Sequence, residues 1–154
     1  YPDEEVIQAA HQQEPTKIRG WHKYTPAQLD RVLEVATLLV KHYRLRDVLG
    51  HDDIAPGRKI DPGPTFHTKE FRAKVFKGMS EVVVSHLNIR TGPGREYDTL
   101  GTPLSKGTIV QVLTVNAEDP RWKRVDVLGD GRTGWVNSEP LNSPTTLRPM
   151  SSSG

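Results

Sequence analysis

The sequence predicts an α+β chain of two unlike halves. A helical half covers residues 1–79, a small all-β barrel follows over 80–142, and a tail closes the chain at 143–154. Three observations carry this. Apolar residues recur at helical period between Leu29 and Tyr43. Short runs rich in β-branched residues, separated by glycine turns, fill the second half. No self-similarity at a period of roughly 20–50 residues is visible, which argues against a solenoid.

The main helix is well signalled. Thr25 is a suitable N-cap, Pro26 falls at the first helical position, and Gln28 stands where a capping box needs it. Tyr24 and Leu29 can form a hydrophobic staple around that cap. Leu29, Val32, Leu33, Ala36, Leu39, Val40 and Tyr43 form the core-facing stripe, and Lys41, His42, Arg44 and Arg46 crowd the end that favours positive charge. Val48-Leu49 reads as a buried strand or strand end. Glu4 to His11 reads as a short helix, and Lys69 to Phe76 as another, with Phe71, Val75 and Phe76 on one side.

The second half reads as five short strands: Glu81–Val84, Leu87–Arg90, Thr108–Val115, Trp122–Val127 and Gly134–Val136. Gly129-Asp130-Gly131 joins the last two. Val82, Val84, Leu87, Ile89, Val110, Val112, Val125 and Trp135 are the expected core. Ser143 to Gly154 is rich in Pro, Ser and Thr and is expected to be disordered.

Composition excludes several functions. The 154 residues carry 21 Lys plus Arg against 19 Asp plus Glu, a net charge of +2, with no polybasic stripe to neutralise phosphates; a nucleic-acid binder is not expected. No apolar run approaches the roughly 18 residues of a membrane span, and no signal peptide opens the chain. The absence of cysteine excludes disulfides, thiolate zinc sites and thiol chemistry, so the chain is indifferent to redox compartment. Hydrophobic residues make up only 34%, and 13 glycines with 12 prolines imply a loop-rich protein with modest cores. The chain opens at Tyr1 in place of an initiator Met, which suggests processing or a fragment.

Chemistry concentrates between Gly50 and Pro64, where an imidazole, three carboxylates and two cations share a stretch stiffened by prolines. His51 and Asp61 are ligand types that zinc accepts, and Lys59 could set a cation beside a developing oxyanion. On spacing alone His51 and Asp61 are unspecific, and a solvated surface turn is the simpler reading.

The whole string Gly50-His51-Asp52-Asp53-Ile54-Ala55-Pro56-Gly57-Arg58-Lys59, followed by Asp61-Pro62-Gly63-Pro64, resembles the C-terminal metal-ligand motif of the zinc-dependent N-acetylmuramoyl-L-alanine amidases of the amidase-2 family. That family includes phage lysozyme-like and peptidoglycan-recycling amidases. Tyr24-Thr25-Pro26-Ala27-Gln28-Leu29 resembles the start of the helix before that motif. The resemblance implies the C-terminal portion of an α/β amidase domain, with His51 and Asp61 as Zn2+ ligands and Lys59 stabilising the transition state.

The second half resembles a bacterial SH3 domain through Leu87-Asn88-Ile89-Arg90-Thr91-Gly92-Pro93-Gly94, Lys106-Gly107-Thr108, Trp122-Lys123-Arg124-Val125 and Gly131-Arg132-Thr133-Gly134-Trp135-Val136. In wall hydrolases such domains bind peptidoglycan. Trp122 and Trp135 are the candidates for a binding face, although a tryptophan in a small barrel more often serves the core.

The family's site also uses a histidine from an earlier strand and a strand glutamate that moves protons. His11 and His22 precede His51 but read as surface residues outside any β-run; Glu34 lies on the helix and Glu14 precedes Pro15. The expectation is a chain lacking the N-terminal part of its catalytic domain, which another chain could supply. Two function classes follow. One is a peptidoglycan hydrolase acting at the cell envelope, whether periplasmic, extracellular or phage-delivered as an endolysin. The other is a non-catalytic wall-binding module carrying an incomplete amidase remnant.

Overall fold

A computed structural model describes residues 5–141 and 143–150 of the chain. The first element corrects the expected helix over Glu4–His11. β1 (Val6–His11) and β2 (Glu14–His22) form an antiparallel hairpin, with Ile7 opposite Trp21 and a register shift between Ala10 and His11. Val6-Ile7 at one end of β1, and the alternation of Ile18 and Gly20 with charged residues on β2, suit a two-stranded ribbon. The indole Nε1 of Trp21 fixes the pairing by donating to the Ala9 carbonyl at 3.0 Å.

α1 (Pro26–Tyr43) begins as its capping box dictates. Gln28 N–H donates to Thr25 Oγ1 at 3.2 Å, and Gln28 Oε1 accepts from the Thr25 N–H at 2.8 Å. Arg44 ends the helix in the left-handed region at φ 54°. The apolar stripe divides between two surroundings. Val40 is fully buried, and Leu33 and Ala36 pack with it against Phe71, Val75, Phe76 and Met79. Val32, Leu39 and Tyr43 stay exposed, together with Val35 and Leu38. The packed side meets α3 (Thr68–Val75), whose Phe71 and Val75 form one buried face. Between them lies a single turn, α2 (His51–Ile54). Val48 and Leu49 are not in a strand; Val48 leans on the α1–α3 core while Leu49 is exposed.

The second half is a five-stranded antiparallel sheet in the order β6-β5-β4-β3-β7. Its strands are β3 (Met79–Val82), β4 (Ile109–Val115), β5 (Trp122–Val127), β6 (Thr133–Asn137) and β7 (Leu147–Pro149). Two expectations change here. Leu87–Arg90 is no full strand but reaches its neighbours through isolated bridges, Leu87 to Leu104 and Arg90 to both Thr99 and Trp135. The fifth strand comes from the segment expected to be a disordered tail. β7 pairs with β3, Leu147 is buried in the core, and Thr146 Oγ1 donates to the Asn137 carbonyl at 2.7 Å. Without β7, β3 would present an unpaired edge. Residues 151–154 of that segment lie outside the described residues.

The sheet encloses Val82, Leu87, Ile89, Leu104, Val110, Val125, Val127, Val136 and Leu147, with Val84 and Val112 partly buried against them. Trp135 does not belong to this set. Strand alternation turns Gly134 and Val136 inward, so Trp135 stands half-buried on the opposite face. Met79 links the two halves, because it opens β3 and is also buried in the α1–α3 core, where Met150 packs too.

Candidate active site

The loop from Gly50 to Pro64 gains little from apolar burial. Within residues 51–61 Asp52 alone is buried, and Ile54 is 63% exposed. Polar contacts hold this loop at both ends. On the far side, Tyr24 Oη donates to the Pro62 carbonyl at 3.0 Å, and Thr65 Oγ1 donates to the His22 carbonyl at 2.9 Å. Trp21 packs against Gly63, whose φ is +80°; a Cβ there would sit 2.4 Å from the indole ring, so both backbone angle and space demand glycine. On the near side, Asp52 N–H donates to the Asp61 carbonyl at 3.0 Å, which ties the α2 turn to the Asp61–Pro62 segment.

This folding brings His51 and Asp61 together. His51 Nδ1 donates directly to Asp61 Oδ2, and both side chains are more than half exposed. That hydrogen bond holds the Asp61 carboxyl below its ordinary range against partial desolvation, and the positive charges of His51 and Lys59 reinforce the effect. Lys59 is itself exposed, with its N–H bound to the Ala55 carbonyl at 3.0 Å. Its ammonium therefore acts on the pair through the field without being fixed to it.

An imidazole nitrogen and a carboxylate oxygen that face each other are a donor pair that zinc accepts, one protein ligand short of the three a catalytic zinc takes. Among the described residues, no group of three or more His, Cys, Asp or Glu side chains could hold a metal ion.

The expectation that His11 lies on the surface is overturned. It ends β1, is 3% exposed, and places Nε2 3.3 Å from Asp52 Oδ2. Its other nitrogen, Nδ1, accepts the Gln13 N–H at 3.2 Å. With both ring nitrogens bound, His11 has no lone pair free for an ion. His22 ends β2 and is exposed. Glu14 opens β2, but Lys17 and Arg19 occupy its carboxylate and lower its pKa. Glu34 lies on α1, paired with Arg31.

Sequence reasoning missed His11, Gln13 and Asp52 as a connected group. The signal available was weak: the Val6-Ile7 start of β1 was lost beside a Gln-rich turn, and Asp52 looked like one more carboxylate in a polar loop. In the barrel, Trp122 is 6% exposed and borders a cleft with Pro93, Arg95, Glu96, Asp119 and Leu141. Trp135 lies apart from that cleft on β6.

A family model described as N-acetylmuramoyl-L-alanine amidase matches residues 3–64, and one described as bacterial SH3 domain matches residues 85–141. Among curated proteins, 1,6-anhydro-N-acetylmuramyl-L-alanine amidase AmpD of Escherichia coli (strain K12) is 43% identical over 56 residues, 35% of this chain and 31% of that protein. The protein of the same name from Enterobacter cloacae is 42% identical over 52 residues, 32% of this chain and 28% of that protein. N-acetylmuramoyl-L-alanine amidase AmiD of Escherichia coli (strain K12) is 37% identical over 59 residues, 31% of this chain and 21% of that protein. The chain thus spans less than a third of the length of these relatives. No solved structure matches it significantly.

Proposed function

Since residues 3–64 match the N-acetylmuramoyl-L-alanine amidase family model and residues 85–141 the bacterial SH3 domain model, we propose that this chain is part of a peptidoglycan hydrolase that cleaves the amide between N-acetylmuramic acid and L-alanine. The observation that carries this reading is the direct meeting of His51 Nδ1 and Asp61 Oδ2, within reach of the Lys59 charge, inside the family segment. The two atoms joined by that hydrogen bond are the two that would hold Zn2+, and a third ligand would come from outside this pair. Zinc, when bound, supplies Lewis acidity toward the amide carbonyl and acidifies water. Lys59 brings an ammonium toward the oxygen that gains charge as the carbonyl is attacked. The exposure of all three side chains leaves room for a wall polymer to approach.

The sheet half supplies wall binding in this reading, with the helical half and the five-stranded sheet of β3 to β7 as the two working units. Trp122, in its cleft, and Trp135, half-buried on the opposite face from the core, are the surfaces to test. The action is at the cell envelope, and among the described residues no helix is long and apolar enough to cross a membrane. A second reading, a non-catalytic wall-binding module with an amidase remnant, is favoured by one observation: among the described residues only two donors converge.

Zinc titration of the chain, followed through the His51 imidazole by NMR, tests the metal reading. A response lost in Asp61→Ala is expected; an indifferent His51 would remove zinc from the account. Release of L-alanine-terminated peptide by the complete enzyme, abolished in His51→Ala, separates the hydrolase from the binding module. Wall pull-down by both variants at full strength would leave the binding role standing alone.

A further inference from the structure

We propose that the tip of the β1–β2 hairpin, through His11 and Gln13, is a positioning clamp that sets the geometry of the His51–Asp61 pair by gripping Asp52 and Gly57; this rests on the reading of that pair as a metal site. The clamp is a set of polar bonds, one buried, two partly buried and one exposed, and their directions can be assigned. Gln13 N–H can only donate, so His11 Nδ1 must accept it at 3.2 Å and the ring proton lies on Nε2. That proton faces Asp52 Oδ2 at 3.3 Å. Gln13 adds a second grip with its side chain. Its Nε2 donates to the Asp52 carbonyl at 2.8 Å, and its Oε1 accepts the Gly57 N–H at 2.7 Å.

All three side-chain bonds to the loop land between residues 52 and 57, the stretch that connects His51 to Lys59 and Asp61. Asp52 follows His51 directly, and its own N–H is bound to the Asp61 carbonyl. Its second oxygen, Oδ1, is buried without a hydrogen-bond partner. It lies against Gly50, where a Cβ would come within 2.3 Å of it and within 2.8 Å of Pro62 Cδ. A carboxylate in such a place is costly unless its other bonds are good. A loop stretch whose one buried residue is this carboxylate has no apolar core to fix its shape, so the clamp must do so.

The test uses the full chain with Asp52→Ala, Asp52→Asn and Gln13→Ala. Amide exchange by NMR, without metal, should be about tenfold faster at Gly57 and across residues 51–61 in Asp52→Ala. Asp52→Asn keeps an acceptor for His11 Nε2–H and should stay within about twofold. Amides of β4 and β5 should be unchanged in both. Zinc titration read at His51 should show about tenfold weaker binding in Asp52→Ala and recovery in Asp52→Asn, the size common for groups that orient metal ligands.

If Asp52→Ala does not fold, Gln13→Ala removes two of the bonds without touching the buried pair and reads the same loop. Unchanged exchange in the loop, or equal loosening of loop and barrel, overturns the clamp. Loosened exchange with unchanged zinc binding also overturns it as a positioning device. A wild-type His51 that ignores zinc defeats the metal reading instead, and the exchange data alone then decide whether the hairpin tip holds the loop.

Discussion

At the level of single residues, Asp61 shows how a local contact becomes a measurable property. The His51 hydrogen bond favours the charged carboxylate, and so lowers its pKa in the folded chain. For a group whose folded pKa is depressed, the stabilising contribution is full above the unfolded value and is lost as pH falls through the folded one. Carbon-13 NMR of the Asp61 carboxyl should thus give a midpoint below the ordinary value of about 3.9. In His51→Ala that midpoint should move back up; an unmoved midpoint would mean that the two side chains do not meet in solution. Lys59 makes a different expectation. Its ammonium is exposed and fixed to no partner atom that would orient the loop. If the proposed zinc-amidase reading holds, Lys59→Ala in the complete enzyme should leave zinc affinity nearly unchanged and slow turnover to the extent of the ~2.7–4 kcal/mol associated with one lost oxyanion donor. Full turnover would reduce Lys59 to a solvated loop cation.

Elements inherit their stability from two sources, and α1 uses both. Its start is local: Thr25 and Gln28 satisfy each other's backbone donors, so Thr25→Ala should cost about 1 kcal/mol in denaturant unfolding. Its position is tertiary. A helix of this length gains most of its stability by packing an apolar face, and here Leu33, Ala36 and Val40 find that packing on α3 and β3. The same sequence stripe also contains Val32, Leu39 and Tyr43, which stay exposed. Met79 is the residue where helix packing and sheet meet, being 1% exposed in the core shared with Phe76 and Val40. Met79→Ala should cost ~2–5 kcal/mol and lower the unfolding midpoint of both halves together. A loss confined to residues 1–78 would show that the halves unfold separately.

For the molecule as a whole, Glu81 is the electrostatic joint. From β3 it pairs with Arg46 beyond the end of α1 and with Arg148 on β7, joining the helical half, the sheet and the last strand. Hydrogen bonds from Arg148 and then Arg46 hold its pKa below the ordinary value. By the same sign argument, this contribution is present at neutral pH and is lost as the pH drops through the lowered pKa. Both guanidinium groups are well exposed, so Glu81→Gln should cost no more than about 1 kcal/mol at pH 7. The gap from wild type should narrow below about pH 4, in unfolding curves taken across pH. A constant gap would assign the loss to packing.

Much of this was legible in the sequence because the signals were local. The capping box of α1, the span of β5 from Trp122 to Val127, and the Gly129–Gly131 hairpin each depend on residues within a few positions of one another. The motif from Gly50 to Pro64 likewise marked His51, Lys59 and Asp61, since the loop itself holds their order and spacing. What required the tertiary structure was every contact that spans distant positions. The hairpin of Val6–His22 packs Trp21 against Gly63 of a loop distant in sequence, and its short polar strands carry little period of their own. Leu147 becomes core because β3 has an open edge for it, although its Pro/Ser/Thr surroundings read as tail. Trp135 turns outward because pairing with β5 fixes which of its neighbours face in. His11 is buried because a carboxylate 41 residues away meets its ring. Sequence determined the local geometry and marked the candidate site residues; burial, and with it the partners of each charge, was decided by which segments the fold brought together.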